Sequence, residues 1–158
     1  MEALQAWLRL VHARGLGPVH AQRLLAYFEQ APAICAADPA TLRGFGLPNA
    51  ALAALHDTQP PEGVTADAEW ARQSDHHILT LADPRYPARL AAIPDPPPVL
   101  YVQGDPEVLA YPALALVGTR HPTPAGQDTA HAFAHHLAAS GLIVVSGLAL
   151  GIDAAAHR

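Results

Sequence analysis

Apolar residues follow two different patterns along this chain, one before residue 60 and one after residue 112. Near the N-terminus they recur at helical spacing, first at positions 4, 7, 8 and 11 and again at positions 21, 24, 25 and 28. Glycine and proline interrupt the spacing, as in Gly-Leu-Gly-Pro at 15–18. This pattern predicts a small all-α domain over residues 1–58.

The second pattern is a strand, a loop and a helix, and it occurs twice between residues 113 and 153. Apolar runs at 113–117 and 142–145 stop at Gly118 and Ser146, respectively. Between them, apolar residues at 130, 133, 134 and 137 form one face of a helix. Short apolar strands around such a helix predict a parallel sheet, buried on both faces, with a right-handed βαβ crossover.

The whole chain is therefore predicted to have an α/β fold in two parts. The run Thr-Gln-Pro-Pro-Glu-Gly at 58–63 is typical of a linker between the helical domain and a sheet domain over residues 63–158. A helix is expected at about 65–74. Strands at 78–81 and 99–103 are expected to join the same parallel or mixed sheet.

Small and polar residues follow both strands, where open parallel sheets bind their ligands. Glycine lets a ligand approach the backbone, amides and hydroxyls near a helix start favour phosphate, and an arginine adds a fork of donors. We predict a phosphate site made of Gly118, Thr119, Arg120, Ser146, Gly147, Ala149 and Gly151. The alternative is that Gly118 and Gly147 only permit tight turns.

The same residues carry a resemblance to a known family. Val-Gly-Thr-Arg at 117–120, Pro-Thr-Pro-Ala-Gly at 122–126 and Val-Val-Ser-Gly-Leu-Ala-Leu-Gly-Ile-Asp at 144–153, with His157, resemble the bacterial DNA-processing protein A (DprA/Smf) family. Tyr-Pro at 86–87, Leu90, the prolines at 96–98 and residues 100–105 follow the same family pattern in order.

This resemblance implies a Rossmann-like domain that begins near residue 63 and a sterile-alpha-motif-like domain at 1–58. It implies a protein of natural transformation (competence) that binds and protects single-stranded DNA and loads the RecA recombinase during DNA recombination. It also implies a homodimer in the full-length protein, without enzymatic activity; we predict no cofactor. The family pattern continues past Arg158, so we expect an N-terminal portion with exposed sheet edges and low stability or self-association.

Composition and the N-terminal sequence indicate the compartment in which the protein is expected. Hydrophobic residues make up 51% of the chain, which is enough for a packed core, and the single cysteine excludes an internal disulfide. The N-terminus has no basic region before an apolar core, and no apolar run reaches membrane-spanning length. We therefore predict a soluble, cytoplasmic protein.

The charge balance argues against a generic DNA-binding surface. The net charge is −5, with nine basic residues that are all arginine and 14 acidic residues. Residues 61–112 hold three arginines and eight acids, whereas residues 113–158 hold two of each. The excess acid therefore lies outside the predicted site, and we expect few counterions to be released on binding.

Several residues have both a functional and a structural interpretation. His131 and His135 are spaced for a shared metal, but no acidic residue accompanies them, so a solvated helix flank is favoured and no metal is predicted. Asp153 is expected to bond to loop or helix-start amides, and His157 to cap or pack against the preceding loop. Core positions are favoured over base stacking for the aromatic residues Trp7, Trp70, Tyr86 and Tyr101.

Other functions remain open at this point. A nucleotide enzyme of a related Rossmann-like fold, such as a nucleoside monophosphate phosphoribohydrolase, is the main alternative, although no Pro-Gly-Gly-x-Gly-Thr-x-x-Glu loop is present. A nicotinamide dehydrogenase is disfavoured because the first loop does not fit G-x-G-x-x-G. The turn at 15–17 resembles a DNA-binding helix-hairpin-helix turn, but a plain interhelical turn is favoured.

Overall fold

The structure is a computed structural model that describes residues 2–158. The fold is mixed α/β, as predicted, and forms two compact units, the first ending at Leu109 and the second comprising Ala110–Arg158. The domain limits predicted from the sequence, 1–58 and 63–158, stay a prediction. None of the helices described between residues 2 and 158 is long and apolar enough to cross a membrane.

Helices lead the first unit, and they begin where the sequence supplies start signals. Their bounds are α1 Glu2–His12, α2 Pro18–Phe28, α3 Ala31–Ala36, α4 Pro39–Gly44, α5 Asn49–His56 and α6 Glu62–Trp70. Proline opens α2 and α4, where its missing N–H costs nothing. Asp38 also caps α4, because its carboxylate accepts from the amides of Ala40 at 2.9 Å and Thr41 at 3.3 Å.

The core of the first unit lies between these helices. Its fully buried side chains include Leu10, Leu24, Ile34 and Leu42. The helical spacing predicted from the sequence is confirmed for α1 and α2, except that Val11 is exposed. Burial of these aliphatic side chains is the main source of stability for such short helices.

An antiparallel strand pair completes the first unit. β1 (His76–Thr80) pairs with β2 (Val99–Gln103), and the short helix α7 (Ala88–Ala91) lies between them in sequence. Val99 belongs to the helical core, with Ile78 and Leu81 packed against it. The prediction that these strands join the same parallel or mixed sheet as the later apolar strands is wrong, since in the described residues they form their own two-stranded sheet. One face of an antiparallel pair can pack on helices while the other stays open, as the alternating burial along β2 shows.

Asp67 on α6 connects the helices to this strand pair. Its Oδ2 lies 2.7 Å from Nε2 of His12 on α1 and also accepts from the hydroxyl of Tyr101 on β2. Partial burial and the bond to Asp67 raise the pKa of Tyr101. A side chain at Gly63 would overlap the His12 ring, so this ring would have to shift to admit one.

The aromatic residues divide between core and surface. Trp7 and Tyr86 are buried, as expected, and the Tyr86 hydroxyl donates to the Pro97 carbonyl at 2.9 Å. Trp70 is half-buried, with its ring centre 4.3 Å from that of His76. The core position expected for Tyr101 is wrong, because this side chain is exposed and is held by Asp67 instead.

The second unit contains the predicted strand-helix-strand arrangement. Its elements are β3 (Ala113–Ala115), α8 (Pro124–Ala139), β4 (Ile143–Val145) and α9 (Ile152–Ala155). β3 and β4 pair in parallel, with Ala113 opposite Ile143 and Ala115 opposite Val145. The parallel pairing of two strands joined through a helix is therefore confirmed.

The burial predicted for the second unit is wrong in part. Ala130 and Ala134 of α8 are buried, but Phe133, predicted on the same face, is 60% exposed. β3 is exposed along its length, although its apolar sequence predicted burial on both faces. The long helix α8 supplies one layer against a two-stranded sheet, and one layer covers only one face.

Replacing Leu24 by Ala should destabilise the first unit. Leu24 is fully buried in the helical core, so the truncation leaves a cavity and should lower the free energy of unfolding by about 2–5 kcal/mol. Urea denaturation followed by circular dichroism measures this change. The matched control is Val19→Ala on the same helix, where the side chain is 63% exposed and the change should stay within about 0.5 kcal/mol. Equal effects of the two substitutions would contradict the assigned core.

Candidate nucleic-acid interface

Two loops lie at the carboxyl ends of the parallel strands. The first loop, residues 118–123, leads from β3 to α8, and the second loop, residues 146–151, leads from β4 to α9. The parallel register brings both loops to one edge of the sheet, and the pairing continues past β3 because the Leu116 amide donates to the Val145 carbonyl at 2.9 Å. The seven residues predicted to bind phosphate all lie in these two loops.

A single carboxylate holds the two loops together. Asp153 is only 4% exposed, and its Oδ1 accepts from the amide of Gly118 in the first loop at 3.1 Å. Its Oδ2 accepts from the amide of Gly147 in the second loop at 2.9 Å. The expectation that Asp153 bonds to loop amides is therefore confirmed. Two charge-assisted hydrogen bonds compensate for the burial of this carboxylate.

The loops also touch through their backbones. The amide of Ile152 donates to the Thr119 carbonyl at 3.1 Å. Gly151 has φ 94°, and a side chain there would overlap the Thr119 carbonyl oxygen. A Cβ on Gly118 would lie 2.8 Å from the Ile152 side chain. The structure thus gives Gly118 and Gly151 a role in loop contact that requires no ligand.

The outer surface of the loops presents hydrogen-bond donors. Arg120 is exposed, and among residues 3–158 no carboxylate forms a salt bridge with it. The Thr119 hydroxyl oxygen accepts from the His121 amide at 3.2 Å, which leaves its own proton available. Within the described chain, the amides of residues 119, 120 and 149–151 donate to no protein acceptor. This surface can accept an anion without breaking an internal hydrogen bond.

Ser146 has a neighbour that the sequence did not identify. Its Oγ accepts from the Leu148 amide at 3.0 Å and lies 2.9 Å from Nε2 of His157. The expectation that His157 packs against the preceding loop is confirmed, and its partner there is the Ser146 hydroxyl, which the sequence does not indicate. The one-turn helix α9 lies between these two residues, and no spacing rule predicts that they meet.

Serine, histidine and aspartate do not form a catalytic triad here. Both oxygens of Asp153 accept loop amides, and in the described chain His157 makes its side-chain hydrogen bond to Ser146. His131 and His135 are exposed on α8, in agreement with the solvated flank that was favoured. Among the described residues, no three His, Cys, Asp or Glu side chains are grouped to hold a metal ion.

Comparison with known proteins agrees with the sequence motifs. Residues 77–158 match the family described as DNA recombination-mediator protein A. The chain is 36% identical to Protein Smf of Synechocystis sp. over 160 aligned residues. This alignment covers 96% of the chain and 39% of the relative. The chain is 34% identical over 87 residues to the DNA processing protein DprA of Bacillus subtilis, covering 54% of this chain and 29% of the relative.

A solved structure has the same fold over nearly the whole chain. The X-ray structure of DNA processing protein A (DprA) from Streptococcus pneumoniae matches with a TM-score of 0.68 and 27% identity, covering 94% of this chain and 50% of that one. The chain thus spans half the length of that structure and 39% of the Synechocystis relative. With a family match that begins at residue 77 and runs through both loops to residue 158, the chain belongs to the DNA recombination-mediator protein A family.

Proposed function

We propose that the first and second loops bind the sugar-phosphate backbone of single-stranded DNA. One observation carries this proposal: Asp153 fixes two strand-end loops side by side, and the exposed Arg120 beside them has no carboxylate partner among residues 3–158. An arginine without an internal partner, next to free backbone amides, is suited to phosphate oxygens.

Each loop residue has a defined part in this proposal. Arg120 supplies charge, and the hydroxyls of Thr119 and Ser146 supply hydrogen bonds. The amides of residues 119, 120 and 149–151, which have no acceptor within the described chain, are further donors. The amides of Gly118 and Gly147 are occupied by Asp153, so these two glycines maintain the loop geometry.

The wider role that we propose is based on family membership. We place the loops in a Rossmann-like DNA-binding domain and the first 58 residues in a sterile-alpha-motif-like domain. The protein protects incoming single strands during natural transformation and loads a RecA-type recombinase in the cytoplasm, without catalysis of its own. The complete protein acts as a homodimer. Donors that contact phosphate carry no sequence information, so little base preference is expected.

Replacing Arg120 by Ala should weaken binding to single-stranded oligonucleotides by roughly three- to tenfold, with little dependence on base sequence. One lost phosphate contact should also flatten the plot of log K against log salt concentration by about 0.7. Fluorescence anisotropy with labelled oligonucleotides, titrated at several salt concentrations against duplex competitor, measures both quantities.

The control for this experiment is Arg43→Ala. Arg43 is exposed on α4 in the first unit, so its loss removes the same charge from a position outside the loops. Binding by this variant should match that of the unaltered protein. If Arg120→Ala leaves affinity and salt slope unchanged, or if both variants behave alike, the loops are not the binding site.

Replacing Asp153 by Asn should weaken DNA binding even though it removes a negative charge. An asparagine side chain has one acceptor oxygen, so either the Gly118 or the Gly147 amide loses its partner and the loops separate. The loss of one part-buried hydrogen bond to a charged group should cost about 1.5–3 kcal/mol of stability. Thermal unfolding and anisotropy titrations measure the two effects.

Asp128→Asn is the charge-matched control for Asp153→Asn. Asp128 is exposed on α8, so its loss should leave stability unchanged and leave affinity equal or slightly higher. Tighter binding by Asp153→Asn would show that the carboxylate opposes DNA through its charge and does not support the loops.

A further inference from the structure

The contact between Ser146 and His157 links a proposed DNA-binding hydroxyl to a titratable side chain. Ser146 Oγ lies 2.9 Å from His157 Nε2 and accepts a hydrogen bond from the Leu148 amide at 3.0 Å. Ser146 is half-buried and His157 is exposed. A hydroxyl has one proton, so the partner that receives this proton decides whether Ser146 can donate to anything else.

The protonation state of the His157 imidazole decides which partner receives the proton of the Ser146 hydroxyl. A neutral imidazole accepts the Ser146 proton at Nε2 in one tautomer and donates to Oγ in the other, whereas an imidazolium only donates. Protonation therefore eliminates the state in which the Ser146 proton is held by His157. The hydroxyl then accepts from His157 and from the Leu148 amide, and its own proton is free to reach a phosphate oxygen.

The surroundings of His157 leave the imidazolium without a carboxylate. His157 lines an open pocket of about 300 Å³. The pocket is also lined by His131 and His135 of α8, by Arg158 and by the apolar side chain of Val144 on β4. No Asp or Glu side chain is among the described residues that line it. Asp128 lines a neighbouring pocket with His131 and Arg158, and Asp153 is engaged by the loop amides. An added phosphate is therefore the natural counter-charge.

We propose that His157 is a positioning residue of the DNA site, which frees the Ser146 hydroxyl for phosphate when it is protonated. This inference rests on the proposed function of the two loops. Binding and protonation are then coupled, so DNA affinity should be higher at pH 6 than at pH 8. The phosphodiester keeps its charge at both values, so the change in affinity originates in the protein.

Anisotropy titrations with a labelled oligothymidylate at pH 6 and pH 8 test the coupling, since thymine does not take up a proton in this range. Affinity of the unaltered protein should be about three- to tenfold higher at pH 6, the size of one additional hydrogen bond. His157→Gln keeps a donor of similar reach without titration and should lose this increase. His131→Gln, which changes a histidine of the same pocket that does not contact Ser146, should retain it.

Three further measurements separate positioning from folding. Ser146→Ala removes the hydroxyl that His157 controls, so it should bind more weakly and also lose the pH response. Thermal unfolding must give similar midpoints for His157→Gln and the unaltered protein. In an NMR titration, the His157 ring resonance should change at a higher pH when oligothymidylate is bound, as coupling requires.

The outcomes distinguish this proposal from the one on which it rests. If Arg120 is needed for binding but His157→Gln keeps the full pH response, His157 has no positioning role and the loop assignment stands. A pH-independent affinity of the unaltered protein also overturns the inference. If no salt-sensitive binding occurs at either pH, the proposed function fails, and the role of His157 fails with it.

Discussion

The second unit depends on a buried carboxylate that satisfies two loops at once. Asp153 accepts one amide from each strand-end loop, and the Ile152 amide next to it bonds to the Thr119 carbonyl. A buried charge without partners is costly, so the protein is most stable when both loops keep their positions. The amides of Gly118 and Gly147 are consequently occupied, so the phosphate contacts that we propose use other donors.

Local patterns predicted the elements of this unit well. The helix expected between the two apolar runs is present as Pro124–Ala139, because Thr123 caps its start and Gly141, at φ 84°, follows its end. Helix signals of this kind depend on near neighbours in sequence. Asp153 was also interpreted correctly, since an acid at a helix start beside glycine-rich loops has amides within reach.

Features that depend on distant residues were not predictable in the same way. The exposure of Phe133 follows from which faces the sheet covers, and the pairing of β1 with β2 follows from the helical core on which Val99 packs. Both are tertiary effects that hydrophobic spacing does not encode. The contact between Ser146 and His157 could not be predicted, because the two residues are separated in sequence by the short helix α9 and meet only in the folded chain.

The close contact at Gly151 has a consequence for anyone who wishes to move this site to another protein. The second loop keeps its shape against the Thr119 carbonyl, through the Ile152 amide and through Asp153. A peptide that copies residues 146–151 alone lacks all three supports. A transplant must therefore carry residues 118–120 and 146–153 together, on two adjacent parallel strands, because the site is a property of the pair and not of either segment.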